Sequence, residues 1–264
     1  MKWLGVPYWI LLALLVVAPM ALMMIYSLQD SSDQNVFSIL FTLENYARFF
    51  NEPLFIGLLF ESLWLAFIAT IVTLILGFPL AYLISRSGKR WQVMLILLVT
   101  APMWINMLLR TRALQQVFEM IAPDWLGTNT AIIIGMSYVF LPFMVLPIYA
   151  VLNKMDDNLF DSASDLGANG LQRMIRVILP LSLPGILSGI LLVFLPAATT
   201  LVIPRYLGEG RFLLGNLIEN AMIQQGNYGY GSAIAIVMTV LIMTFWLLIR
   251  RVERQRGGNK LEQT

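Results

Sequence analysis

The chain has 264 residues, of which 59% are hydrophobic and 12% charged, with a mean hydropathy of +0.78 and a formal net charge of +2. So apolar a composition excludes an ordinary soluble domain. The absence of Cys and His also excludes thiol catalysis, disulfides, haem ligation and ordinary zinc sites.

Apolar runs of about 20 residues cross a hydrocarbon core of roughly 30 Å as helices. Six are read, at about 7–28, 57–83, 92–109, 130–152, 183–203 and 232–250. They predict an all-α polytopic membrane protein, with residues 1–264 forming one transmembrane domain. Lys2 before the first run would suit a signal peptide. That run is long, however, and Ser27-Leu28-Gln29-Asp30 offers no small-x-small cleavage pattern, so an uncleaved first helix is expected. Placing the N-terminus in the cytoplasm puts twelve Lys and Arg residues on inner segments and five on outer ones. The positive-inside rule therefore predicts both termini inside. Nine of the fifteen Asp and Glu residues then fall outside. Either the outer side merely tolerates them, or an acidic vestibule concentrates a cationic solute.

Along the chain, Glu61 opens the second span, and Trp104 lies within the third. Arg110 and Arg112 follow it, and Glu119 comes next. The two arginines either snorkel to outer headgroups or meet acidic residues of an extracytoplasmic partner. Pro142 and Pro147 in the fourth span, with Pro184 and Pro196 in the fifth, are hinge points or static kinks. Glu219 precedes the sixth span. Glu61, Trp104, Glu119 and Glu219 are the candidates to line a solute path, since carboxylates and aromatic faces replace the water lost by an ammonium group. Interfacial anchoring is the competing role for Trp104, and pairing with a nearby Arg the competing role for the carboxylates. The tail from Arg250 to Lys260 reads as an anchor against anionic lipid.

The polar loop at about 153–180 is the most informative segment. Asp156 or Asp157 can cap a short helix, with Leu159, Ala163 and Leu166 at helical spacing. Gly167 can end it in a left-handed conformation. Asn169 can cap a second helix with an apolar stripe of Leu171, Met174, Ile175 and Ile178. Leu179-Pro180 and Leu183-Pro184 are then expected to turn the chain back into the membrane. A helix this short is marginal alone. It packs either on its own bundle or into a soluble partner.

No G-x-x-x-x-G-K-[ST], G-x-S-x-G or H-E-x-x-H motif occurs, so the chain is read as lacking its own nucleotide-phosphate cradle or hydrolase centre. The run Asp161-Ser162-Ala163, then Gly167, then nine residues to Val177-Ile178-Leu179-Pro180 resembles the coupling-loop signature of permease subunits in binding-protein-dependent ABC importers. Asp stands for Glu, Ser for Ala and Val for Ile, which keep charge sign, small volume and branching. Six spans with an insert between the fourth and fifth also look like the type I importer fold. Within that family the stretches Phe41–Tyr46, Ala101–Asn106, Leu109–Arg112 and Leu141–Pro147 are most similar to spermidine/putrescine permeases.

The resemblance implies a plasma-membrane subunit that is not itself an enzyme. It would bind no cofactor, ATP and Mg being held by a partner ATPase. Asp161, Ser162, Ala163, Gly167, Val177, Leu179 and Pro180 would carry the coupling contact, with the helix at 158–166 seated on that ATPase. A second, non-identical permease would complete the path, and an extracytoplasmic binding protein, met by Arg110 or Arg112, would deliver the solute. The alternatives are a permease for another small solute (iron, an oxyanion or an amino-acid-like compound) and, from another class, an ion-coupled secondary transporter. The second is disfavoured because no paired copy of the Leu141–Pro147 pattern is found at matching depth. A membrane-embedded enzyme is disfavoured by the missing His, Cys and metal-ligand clusters.

Overall fold

The structure, a computed structural model, describes residues 11–29, 41–156 and 167–258. Among these the chain is helical, with one isolated bridge, Gln29 to Phe41, and no strand. The helices are α1 (Ala13–Ser27), α2 (Glu44–Asn51), α3 (Pro53–Arg86), α4 (Lys89–Thr100) and α5 (Met107–Ile121). They continue with α6 (Asn129–Leu152), α7 (Gly170–Thr199), α8 (Val202–Leu207), α9 (Leu214–Glu219) and α10 (Tyr228–Gly258). Four are long and apolar enough to cross a membrane: α3, α6, α7 and the Tyr228–Leu248 part of α10. The bent pair Lys89–Trp104 and Met107–Ile121 is a fifth if it counts as one span.

Two expectations are corrected here. The apolar run predicts one straight crossing at 92–109, but the chain bends by 97° after Trp104. Pro102 lies in a tight 3-10 turn (Ala101–Trp104) at the end of α4. Asn106 then caps a new helix, its side chain accepting from the Leu108 N–H at 2.8 Å. A cap restarts a helix in a new direction because it satisfies an amide that the previous helix would have used. The second correction concerns Leu179-Pro180 and Leu183-Pro184, which do not turn the chain. Helix runs unbroken from Gly170 to Thr199.

Proline is accommodated there by widening the turn before it. Residues Met174–Ile178 are π-helical, with the Leu179 N–H reaching back five residues to the Met174 carbonyl, immediately before Pro180. The same device precedes Pro19, where Ala13–Val17 is π-helical and the Ala18 N–H reaches Ala13. A proline has no N–H and its ring crowds the carbonyl four residues back. One wide turn relieves both problems without ending the helix.

The chain divides into two compact units. In the first, residues 1–60 with 212–245, the Phe41–Tyr46 stretch fastens the end of α1. Asn45 is buried and donates through Nδ2 to the carbonyls of Ser27 (3.2 Å) and Gln29 (2.8 Å). The Tyr46 hydroxyl donates to Ser27 Oγ at 2.8 Å. Phe49, fully buried, stacks on Phe55 with centroids 6.4 Å apart.

The second unit, residues 61–211 with 246–264, is built around α6, the most buried of the long helices. Its Met144 is fully buried. Small residues let the neighbouring helices come close to it. A Cβ on Gly77 of α3 would lie 2.9 Å from Met144 Cγ, and one on Gly189 of α7 would lie 2.7 Å from its Sδ. Gly185, one turn before Gly189, faces backbone instead, with the Pro147 carbonyl oxygen 2.8 Å from where a Cβ would sit. Gly185-Ile186-Leu187-Ser188-Gly189 is thus a small-xxx-small contact, the geometry by which membrane helices gain packing where no water is expelled.

Candidate coupling segment and translocation path

The candidate coupling segment, at about 153–180, leaves α6 after Leu152 and enters α7 from Gly170. Asp161, Ser162 and Ala163, with the whole helix expected at 158–166, lie outside the described residues. From Gly167 onward the segment is described. Gly167 has φ +80°, in the left-handed region, and a Cβ there would meet nothing within 4 Å. Glycine is therefore demanded by backbone conformation and not by crowding. Two residues later Asn169 forms a full capping box. Its side chain accepts from the Gln172 N–H at 2.8 Å, and the Gln172 side chain accepts from the Asn169 N–H at 3.1 Å.

The apolar stripe expected on this second helix is only partly covered. Ile178 is buried, yet Leu171 is 70% and Ile175 54% exposed. Val177 is half-buried, while Leu179 and Pro180 are exposed. The described part of the signature thus turns a rigid backbone and an uncovered apolar face outward.

The path candidates separate into distinct settings. Glu61, in the third turn of α3, pairs with Arg211 at 3.6 Å, both side chains being about two-fifths exposed (38% and 43%). Arg211 also donates to Asn129 Oδ1 at the start of α6. Glu119 belongs to a ladder along α5. Arg112 donates to Gln115 Oε1 at 2.7 Å, and Gln115 donates onward to Glu119 Oε1 at 2.9 Å. The Arg112 guanidinium also stands 5.5 Å from the centre of the Tyr206 ring. Trp104 is 85% exposed at the bend between α4 and α5. Glu219 closes α9 in the other unit and is half-buried.

The two arginines that the sequence treats alike differ in surroundings. Arg112 is exposed, whereas Arg110 is buried with Nε and Nη1 lacking a hydrogen-bond partner among the described residues. Two positions on a helix differ by about 200°, so helical periodicity already separates their faces. Arg211 was missed as the partner of Glu61. It follows α8 at a great sequence distance, and no local pattern connects the two.

These features define a membrane-spanning helical subunit with a polar segment set between two of its long helices. No group of three or more metal-binding side chains occurs among the described residues. Residues 3–257 match the family described as binding-protein-dependent transport system inner membrane component. The chain belongs to that family: it is an ABC importer permease, a transport subunit of the inner membrane.

Among curated relatives it is similar to the spermidine/putrescine transport system permease protein PotB of Haemophilus influenzae, 37% identical over 243 residues and covering 86% of this chain and 85% of that one. PotB of Escherichia coli K12 is 34% identical over 268 residues, covering 92% and 96%. Among solved structures, a bacterial alginate ABC transporter in complex with an alginate pentasaccharide-bound periplasmic protein shares the fold. Its TM-score is 0.74 at 15% identity, covering 96% of this chain and 93% of that one. A chain of the MetNI methionine ABC transporter in an inward-facing conformation has a TM-score of 0.64 at 17% identity, covering 76% and 94%.

Proposed function

We propose that this chain forms half of a translocation path for polyamines and couples it to ATP hydrolysis in a separate subunit. The observation that carries the substrate is the identity to spermidine/putrescine permeases, 34–37% over most of the chain. The chain works as one transmembrane domain with six crossings and both termini in the cytoplasm. The crossings are α1, α3, the bent α4–α5 pair, α6, α7 and α10. Two cytoplasmic ATPases hold ATP and Mg, a second non-identical permease completes the path, and an extracytoplasmic binding protein delivers solute.

The coupling segment transmits the ATPase movement. Asp161, Ser162, Ala163, Gly167, Val177, Leu179 and Pro180 carry the coupling contact, with Gly167 just before α7 and the last three within it. Ends anchored on α6 and α7 suit this role, because those helices pack backbone to backbone at Gly185. A displacement of the segment then moves two packed helices together. The exposed face of Leu171 and Ile175 supports an apolar docking surface.

Along the path, Glu61, Glu119 and Glu219 replace water around ammonium groups, and Trp104 offers an aromatic face. The Glu61–Arg211 pair at 3.6 Å is long and partly exposed, so an arriving ammonium can compete with the guanidinium for the carboxylate. Binding-protein contact falls to the exposed Arg112, with Arg110 behind it.

Uptake of radiolabelled spermidine by cells carrying the complete importer tests this reading. Glu61→Gln keeps the shape and removes the charge. A charge-assisted hydrogen bond contributes about 1.5–3 kcal/mol, so uptake should fall by about tenfold or more at subsaturating substrate, with unchanged amounts of membrane-inserted chain. Undiminished uptake would remove Glu61 from the path. No uptake of spermidine or putrescine by the wild-type importer would overturn the substrate.

A further inference from the structure

Arg211 ends a short loop that follows α8 and is tied down on both sides. Gly127 donates its N–H to the Leu207 carbonyl at 2.9 Å, and Arg211 donates its own N–H to the Gly208 carbonyl at 3.1 Å. The Arg211 guanidinium joins two long helices. Its Nη1 lies 3.6 Å from Glu61 Oε1 on α3 and also donates to Asn129 Oδ1 at the start of α6. The two contacts differ in kind. Asn129 is a neutral acceptor that no cation competes for strongly. The Glu61 contact is longer than the usual charge-assisted bond of about 2.7–2.9 Å, and both side chains are partly exposed.

A second carboxylate stands in the same loop. Glu209 has φ +50°, in the left-handed region that non-glycine residues seldom enter. Its carboxylate is seated against Gly127, where an added Cβ would lie 3.0 Å from Glu209 Oε2. Gly127, itself at φ +76°, leaves the room that the carboxylate occupies. Glu209 is exposed and forms no ion pair among the described residues. Gly127 and Asn129 are two residues apart, so at most about 7 Å separates their backbones. The guanidinium on Asn129 and the carboxylate on Gly127 therefore share one short stretch of chain.

A translocation path must bind its cargo well enough to admit it and weakly enough to let it leave. A bare carboxylate facing an ammonium group meets only the first need. A carboxylate that trades one cation for another meets both, because the pair lost and the pair formed are alike in chemistry. Arg211 supplies the cation to be traded, and Asn129 keeps it close once the carboxylate is taken.

We propose that Arg211 is an exchangeable counter-ion of Glu61. An arriving ammonium takes Glu61, and Arg211 passes to Glu209 while Asn129 keeps its hold. The return of Arg211 to Glu61 then releases the ammonium. This rests on the reading that Glu61 lies on the path, and it adds Arg211 and Glu209 to the residues that set transport.

Equilibrium dialysis of radiolabelled spermidine against the complete importer without its binding protein, beside the maximal rate of uptake, tests the exchange. A partly exposed ion pair competes by a factor of up to about five. Arg211→Gln removes the competitor and should tighten spermidine binding about three- to fivefold, while the maximal uptake rate falls severalfold because release is no longer assisted. Loss of a merely structural residue would weaken both. Arg211→Lys keeps the charge and should stay near wild type in both. Glu209→Gln should weaken binding, since Arg211 then has no second carboxylate, and that effect should vanish in the Arg211→Gln background. Unchanged binding in Glu61→Gln would remove Glu61 from the path and the exchange with it. Weaker binding in Glu61→Gln without tighter binding in Arg211→Gln would overturn the exchange alone. Additive effects of Glu209→Gln and Arg211→Gln would overturn the passage of Arg211 to Glu209.

Discussion

Replacing Gly167 with proline abolishes solute uptake while the chain still inserts into the membrane. The backbone at Gly167 has φ +80°, whereas a proline ring holds φ near −65°. The substituted residue cannot take the native conformation, so the chain before Asn169 must leave along another direction. The Asn169–Gln172 capping box starts α7 and does not depend on Gly167, and α7 should fold as before. The damage is confined to the segment that we assign to the ATPase contact. A decade in rate corresponds to about 1.4 kcal/mol, and a lost segment geometry exceeds that, so uptake should drop below detection.

A graded series separates backbone from bulk at the same position. Since a Cβ at Gly167 meets nothing within 4 Å, Gly167→Asn should retain most uptake, because Asn tolerates the left-handed region. Gly167→Val should lose most of it. Uptake assays beside quantitation of membrane-inserted chain and of co-purified ATPase check all three variants. Equal activity of the Val and Asn variants would sink the argument.

Gly185→Leu should destabilise the second unit and reduce transport with it. The added Cβ would stand 2.8 Å from the Pro147 carbonyl oxygen and 3.0 Å from Ile148 Cα. Both are backbone atoms of α6, which cannot step aside as a flexible side-chain end does. Overpacking of a tight core costs typically about 1–3 kcal/mol, and a rigid backbone obstacle places this variant at the upper end. α6 and α7 must then separate, and they flank the coupling segment. Gly57→Ala is the matched control. Nothing lies within 4 Å of its Cβ, and Ala in a helix interior is favoured over Gly by about 0.5–1 kcal/mol. Thermal unfolding of the purified complex in detergent should show a clear drop for the first and none for the second.

Much of this architecture is legible in the sequence, for reasons that can be located. Apolar runs reveal α3, α6, α7 and α10 because the membrane forces every backbone group into a helix. Gly167 and Asn169 are readable because a left-handed stop and a cap are local chemistry. The bend after Trp104 is not, since Met103-Trp104-Ile105-Asn106-Met107 reads as an almost unbroken apolar run. It shows in the structure, in the 3-10 turn at Pro102 and the capping bond of Asn106. Pro180 and Pro184 mislead in the opposite direction, because the π turn that absorbs Pro180 has no sequence signature of its own. The Glu61–Arg211 pair is tertiary and was invisible. Close approach at Gly185 and Gly189 depends on the helix that lies opposite them, which no local pattern names.

On the function proposed here, solute chemistry on one side governs ATP hydrolysis on the other through this chain. The most direct measurement is ATPase activity of the complete importer in proteoliposomes, with binding protein loaded with spermidine, putrescine or a neutral solute. Stimulation should be strong with spermidine or putrescine, slight with the neutral solute, and absent in the Gly167→Pro complex. Equal stimulation by all three solutes, or full stimulation with Gly167→Pro, would contradict it.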